Sequence, residues 1–125
     1  MAIDYSSAGR WAQVVRALAM GESNEDVGLM GDGGRAFGIL QQHSAFFVEW
    51  YGRYPQIYPI DVADTVWVAQ IKAAASFLEH YVPAMGLDLA VESYNQGVEA
   101  IRSGKRVPDY LARFNVNLNK VKGQQ

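Results

Sequence analysis

The sequence predicts a mainly α-helical single domain with a small glycine-rich loop or β-hairpin insert. Apolar residues recur at helical spacing through most of the chain, five glycines gather between residues 28 and 38, and half of the 125 residues are hydrophobic. A chain of that size and apolar content can bury one core without metal or disulfide staples, so residues 1–125 are read as one domain.

The first periodic segment puts Trp11, Val14, Val15 and Leu18 on one helical face, with Ser6 or Ser7 as its cap. It is expected to run to about Met20, where Gly21 and the glycine-rich stretch break the pattern. Glycines at that density suit short strands or tight loops whose backbone takes positive φ or approaches a ligand closely. A second helix is expected from near Ser44, carrying Phe46, Phe47, Trp50 and Tyr51. It stops before the Tyr54-Pro55 and Tyr58-Pro59 pairs, because a proline disfavours helix at the residue before it.

Asp61 or Asp64 is the expected cap of a third helix, in which Val66, Trp67, Ile71, Ala74, Ala75 and Leu78 recur up to Pro83. This is the most apolar helix and is expected at the centre, with Trp67 internal. Residues 88–101 read as one helix apart from Gly97, which costs about 1 kcal/mol in a helix interior. After Gly104, Pro108 suits a helix start, and Tyr110, Leu111 and Phe114 give that helix an apolar face. The region of Val116, Leu118 and Val121 is ambiguous, and the polar tail is expected to be loose.

Eleven Lys and Arg against 13 Asp and Glu leave a net charge of −2, which argues against a phosphate-neutralising surface and hence against nucleic acid as a partner. No cysteine is present, and His43 and His80 lie far apart, so neither a metal site nor any cofactor is expected. No apolar run approaches the roughly twenty residues that span a bilayer, so no stable membrane insertion is expected. The N-terminus lacks a basic segment followed by an apolar stretch. A chain made in the cytoplasm without an export signal is expected.

Three short segments carry the chemistry: Gly21-Glu22-Ser23-Asn24, then Gly31-Asp32-Gly33-Gly34-Arg35-Ala36-Phe37-Gly38-Ile39-Leu40-Gln41, then Ser93-Tyr94-Asn95-Gln96-Gly97. Over roughly residues 11 to 115 their order and spacing resemble goose-type lysozymes and soluble lytic transglycosylases. The resemblance implies a lysozyme-like fold. It also implies cleavage of peptidoglycan glycan strands at the β-1,4 bond between N-acetylmuramic acid and N-acetylglucosamine, by a monomer.

In this resemblance Glu22 is the general acid. Independently, glycosidic cleavage needs a carboxylic acid that stays protonated near neutral pH. A glutamate between an apolar helix and a glycine-rich loop can be partly desolvated by Met20, Phe37 and Ile39, which favours its neutral form. Asp32 falls where goose-type enzymes carry a carboxylate proposed to position the attacking water, although aspartate beside glycines is also what turns use. His43 stands where that family has a further acidic residue; the change removes a negative charge, and a neutral imidazole can still accept a proton.

The resemblance makes Gln41 and the backbone of Phe37, Gly38, Ile39 and Leu40 one groove wall, hydrogen-bonding the N-acetyl groups of the sugar. Tyr94 either orients Glu22 or contacts the sugar, unless it is a core residue; Asn95 ties its helix to the glycine-rich segment. Ser23 supports the surroundings of the glutamate or caps the next turn, and Gln96 replaces the alanine usual in the family. Flat aromatic surface suits pyranose rings, and one of Tyr54 and Tyr58, with Tyr54 preferred, is expected at the groove.

Two outcomes follow protonation by Glu22: attack of water assisted by Asp32, which is favoured, or internal attack of the muramoyl 6-hydroxyl leaving a 1,6-anhydro end. The alternative is a non-catalytic peptidoglycan-binding or structural component of a phage particle or secretion machine. Small size without an export signal suggests a phage lysis or virion-associated protein acting on the cell wall.

Overall fold

The computed structural model describes residues 2–123 and shows a mainly helical domain with one small antiparallel sheet. A 3₁₀ segment, Ser6–Trp11, leads into α1, Ala12–Ser23. Three two-residue strands follow, β1 Met30–Gly31, β2 Ala36–Phe37 and β3 Gln42–His43. Then come α2 Ser44–Trp50, α3 Val66–Met85, α4 Leu87–Gln96, α5 Val98–Arg102 and α6 Pro108–Gly123.

Helix α3 is central, as its composition predicts. Its residues Ile71, Ala73, Ala74, Ala75 and Leu78 are fully buried, and it contacts α1, α2 and α4. Helix α1 buries Val15, Leu18 and Ala19 and packs chiefly along α6, whose Phe114, Leu118 and Val121 close the core from that side. The stretch that was ambiguous in sequence is therefore helical through Gly123, its apolar spacing being satisfied only by a helix lying on α1. Gln124 and Gln125 lie outside the described residues.

Five boundaries differ from expectation. Neither Ser6 nor Ser7 caps the first helix: both lie inside the 3₁₀ segment, and α1 begins after Trp11 without a side-chain cap. Helix α1 continues through Gly21 to Ser23, and Asn24 ends it by taking the left-handed conformation (φ 53°), which asparagine tolerates better than most residues. Thr65 caps α3, its hydroxyl 3.4 Å from the Val68 amide, because Asp64 is committed to the Lys72 ammonium at 2.6 Å. Pro83 lies within the last turn of α3, which ends at Gly86. The single helix expected over residues 88–101 is split into α4 and α5 at Gly97, whose φ of 95° only glycine adopts readily.

In the sheet, β2 pairs antiparallel with both neighbours. The register sets Gly31 opposite Ala36 and Ala36 opposite His43, so the three form one row across the sheet. Beyond the sheet, residues 51–65 fold back on α3. Lys72 anchors them through the Pro59 carbonyl and Asp64, and Tyr58 is buried beneath them with its hydroxyl on Glu79.

Candidate active site

A groove of about 560 Å³ runs between the sheet, the end of α1 and the α4–α5 junction. Glu22, Asp32, Gln41, His43, Tyr94 and Asn95 line it, joined by Ala36, Gln42, Phe46, Gln96 and Gly97. The three motifs, remote in sequence, thus meet at one surface. A second depression of about 500 Å³ abuts it, sharing Phe46, Tyr94, Gln96 and Gly97 and continuing over Trp50, Phe77 and Tyr81.

Glu22 projects from the last turn of α1, which the chain reaches only because Gly21 does not stop the helix. The residue is half-buried, and its Oε2 accepts a 2.8 Å hydrogen bond from the Tyr110 hydroxyl of α6. Burial pushes the carboxyl above its ordinary value, while the Tyr110 hydroxyl and the Arg113 charge draw it partly back. The negative end of the α1 dipole acts in the same direction as burial.

The glycine-rich wall is fixed by a chain of hydrogen bonds. The Phe37 carbonyl accepts from Gln70 Nε2 (2.8 Å), the Gly38 carbonyl from Gln41 Nε2 (2.8 Å), the Ile39 carbonyl from Ser23 Oγ (2.6 Å) and the Leu40 carbonyl from the Tyr94 hydroxyl (2.8 Å). Gln70 Oε1 in turn accepts from the Leu40 amide at 3.2 Å. Gly38 must lack a side chain twice over: its φ is +78°, and a Cβ would lie 2.6 Å from Gln70 Oε1. At Gly31, whose backbone is extended, only space is at issue: a Cβ there would meet Gln41 Oε1 at 2.2 Å and displace the end of that side chain.

This network corrects several expectations. The carbonyls of residues 37–40 are engaged internally, and Phe37, Gly38 and Ile39 are not among the groove-lining residues; Ile39 is fully buried. They shape the wall from within. Gln41 does line the groove, but its Nε2, expected on the sugar, donates to the Leu29 and Gly38 carbonyls at 3.0 and 2.8 Å. Ser23, also buried, pins the end of α1 to that wall. Tyr94 does line the groove and stands edge-on to Phe46, but its hydroxyl holds Leu40, and it is Tyr110 that orients Glu22. Burial raises both tyrosines well above their ordinary values, keeping each hydroxyl a donor.

Asn95 lines the groove, yet its side chain accepts from neighbouring Gln96 at 2.6 Å; the tie between α4 and the glycine-rich segment is Tyr94. Neither expected tyrosine of the proline-rich loop reaches the groove. Tyr58 is buried, and Tyr54 pairs with His80 Nδ1 at 2.9 Å because residues 51–65 are drawn down onto α3. Phe46 and Tyr94 supply the aromatic surface instead. Trp67, expected internal, is only partly buried at the exposed start of α3.

Asp32 and His43 are brought together on the sheet side, with Oδ2 3.1 Å from Nε2 and both side chains more than half exposed. Gln42, Gln70 and Tyr110 were not singled out in the sequence. Gln70 had a usable signal, a lone amide inside an apolar helix, which must find partners if buried. Gln42 sits next to a motif, and Tyr110 is 88 residues from its partner, with nothing local to mark it. Comparison with family models, with curated proteins and with solved structures returns no match.

Proposed function

We propose that this chain is a peptidoglycan-cleaving muramidase in which Glu22 protonates the glycosidic oxygen between N-acetylmuramic acid and N-acetylglucosamine. The observation that carries this reading is the Glu22 carboxyl itself: desolvated, oriented by Tyr110 and facing a groove large enough for sugar rings. The adjoining depression with its aromatic floor suits a polymer longer than the reacting pair.

The wall built on Gln70 and Ser23 supports the reading in a second way. General acid catalysis requires the sugar to be held at hydrogen-bonding distance from a fixed proton donor, and the wall and the donor are tied together through Ser23. Hydrolysis is favoured over 1,6-anhydro chemistry by the polar pair of Asp32 and His43 in the same groove. Action on a bacterial wall during phage lysis or entry is the corresponding biological setting.

The test is turbidity clearing and muropeptide release from purified peptidoglycan. The protein should release glycan fragments and Glu22→Gln should release none while remaining folded by circular dichroism. A Glu22→Gln protein as active as its parent, or a parent that binds peptidoglycan without cleaving it, would overturn the assignment; the second result indicates a wall-binding component.

A further inference from the structure

We propose that His43, held by Asp32, is the base that takes the proton from the attacking water. The inference rests on the glycosidase reading of the groove and adds the identity of the base that would work with the acid. His43 is in β3 and Asp32 follows β1, and the row of Gly31, Ala36 and His43 across the sheet brings the two side chains to 3.1 Å. Both line the groove that Glu22 lines.

The pair has the polarity a base needs. A neutral imidazole that donates its Nε2 hydrogen to Asp32 Oδ2 carries its lone pair on Nδ1, and the carboxylate stabilises the imidazolium formed when that lone pair takes a proton. Fold stability does not account for the arrangement. Exposed ion pairs contribute little to stability, and both side chains here are more than half exposed. Asp32 and Gln41, both non-glycine residues of the wall at positive φ, line the groove.

The step balances without a cofactor. The water oxygen bonds to the anomeric carbon as that carbon's bond to the leaving sugar oxygen breaks. The leaving oxygen receives the Glu22 proton, and one water proton passes to His43 Nδ1. Glu22 is left as a carboxylate and His43 as an imidazolium on Asp32, and solvent restores both. The anomeric configuration inverts, because no enzyme nucleophile intervenes.

The experiment compares the parent, His43→Gln and Glu22→Gln on purified peptidoglycan, with products identified by mass spectrometry. The parent should yield products that have gained one water, and His43→Gln should lose about 100-fold in rate. Added azide, a nucleophile that needs no base, should restore cleavage by His43→Gln and leave a glycosyl azide; a histidine with a merely structural role would show no such rescue. A His43→Gln rate equal to the parent's, failure of azide to rescue, or 1,6-anhydro ends from the parent would overturn the base assignment while Glu22-dependent cleavage stands. No cleavage by the parent removes both readings.

Discussion

The Tyr110 hydroxyl, on the last helix, donates a 2.8 Å hydrogen bond to Glu22 Oε2 at the end of the first. The position of the Glu22 carboxyl is therefore set by the packing of α6 on α1, not by the motif around Glu22 alone.

Tyr110→Phe removes a donor that favours the charged carboxylate, so the Glu22 pKa should rise further. The limb of the pH–rate profile on which Glu22 loses its proton should move to higher pH, and the rate at the optimum should fall about tenfold as the carboxyl loses its fixed orientation. A rate profile between pH 4 and 9 checks both; an unmoved limb would show that the hydroxyl has no hold on the acid.

Glu22→Gln should stabilise the fold near neutral pH. The Glu22 pKa is raised in the folded state above its ordinary 4.5, so ionising it in the groove opposes folding. That penalty is absent below the unfolded value, grows as pH rises through the folded value, and is then complete. Urea denaturation should show variant and parent converging near pH 4 and the variant ahead at pH 7.5; a gap independent of pH would contradict the desolvation argument.

Gly38→Ala forces a Cβ against Gln70 at an unfavourable φ and should cost about 2 kcal/mol or more. Gln70→Ala leaves the Phe37 carbonyl and the Leu40 amide without their partner, at about 2–4 kcal/mol. The two should be non-additive, the alanine at position 38 being cheaper once Gln70 is truncated, because part of its effect is the clash with that side chain. A double-mutant cycle in urea measures the coupling, and strict additivity would rule out the contact.

At Gly97 the space around a Cβ is open and only the backbone angle, φ 95°, opposes a side chain. Gly97→Ala should therefore lose about 1–2 kcal/mol by conformational strain alone. The same change should shift the groove rim at the α4–α5 junction, read as weakened retention on immobilised peptidoglycan.

Helix periodicity made α1, α2, α3 and the first half of α6 legible, because Val15, Leu18, Trp50, Ile71, Leu78 and Phe114 fall on the buried faces of their helices. The boundaries were harder. Gly21 and Pro83 are tolerated within last turns, where few intrahelical bonds depend on them, while Gly97 breaks a helix because its backbone angle is needed there. Of the site, Glu22, Asp32, Gln41, Tyr94 and Asn95 were found from three motifs, His43 from the resemblance just beyond the second of them, and all six line one groove. Gln70 and Tyr110 were missed because their partners come from other elements, 33 and 88 residues distant. Tyr54 was misplaced because the descent of its loop depends on Lys72 meeting Asp64, a contact no local pattern announces.

Each carbonyl from Phe37 to Leu40 already has an internal donor. If the proposed reading holds, what a glycan meets is a fringe of exchangeable side chains above a backbone fixed from within. Affinity should accordingly be tunable by substitution at Asn95 and Gln96, both on the rim, with the melting temperature left nearly where it was. Appetite and architecture would then vary separately in this molecule, which makes it a scaffold on which new sugar preferences can be selected without rebuilding the fold.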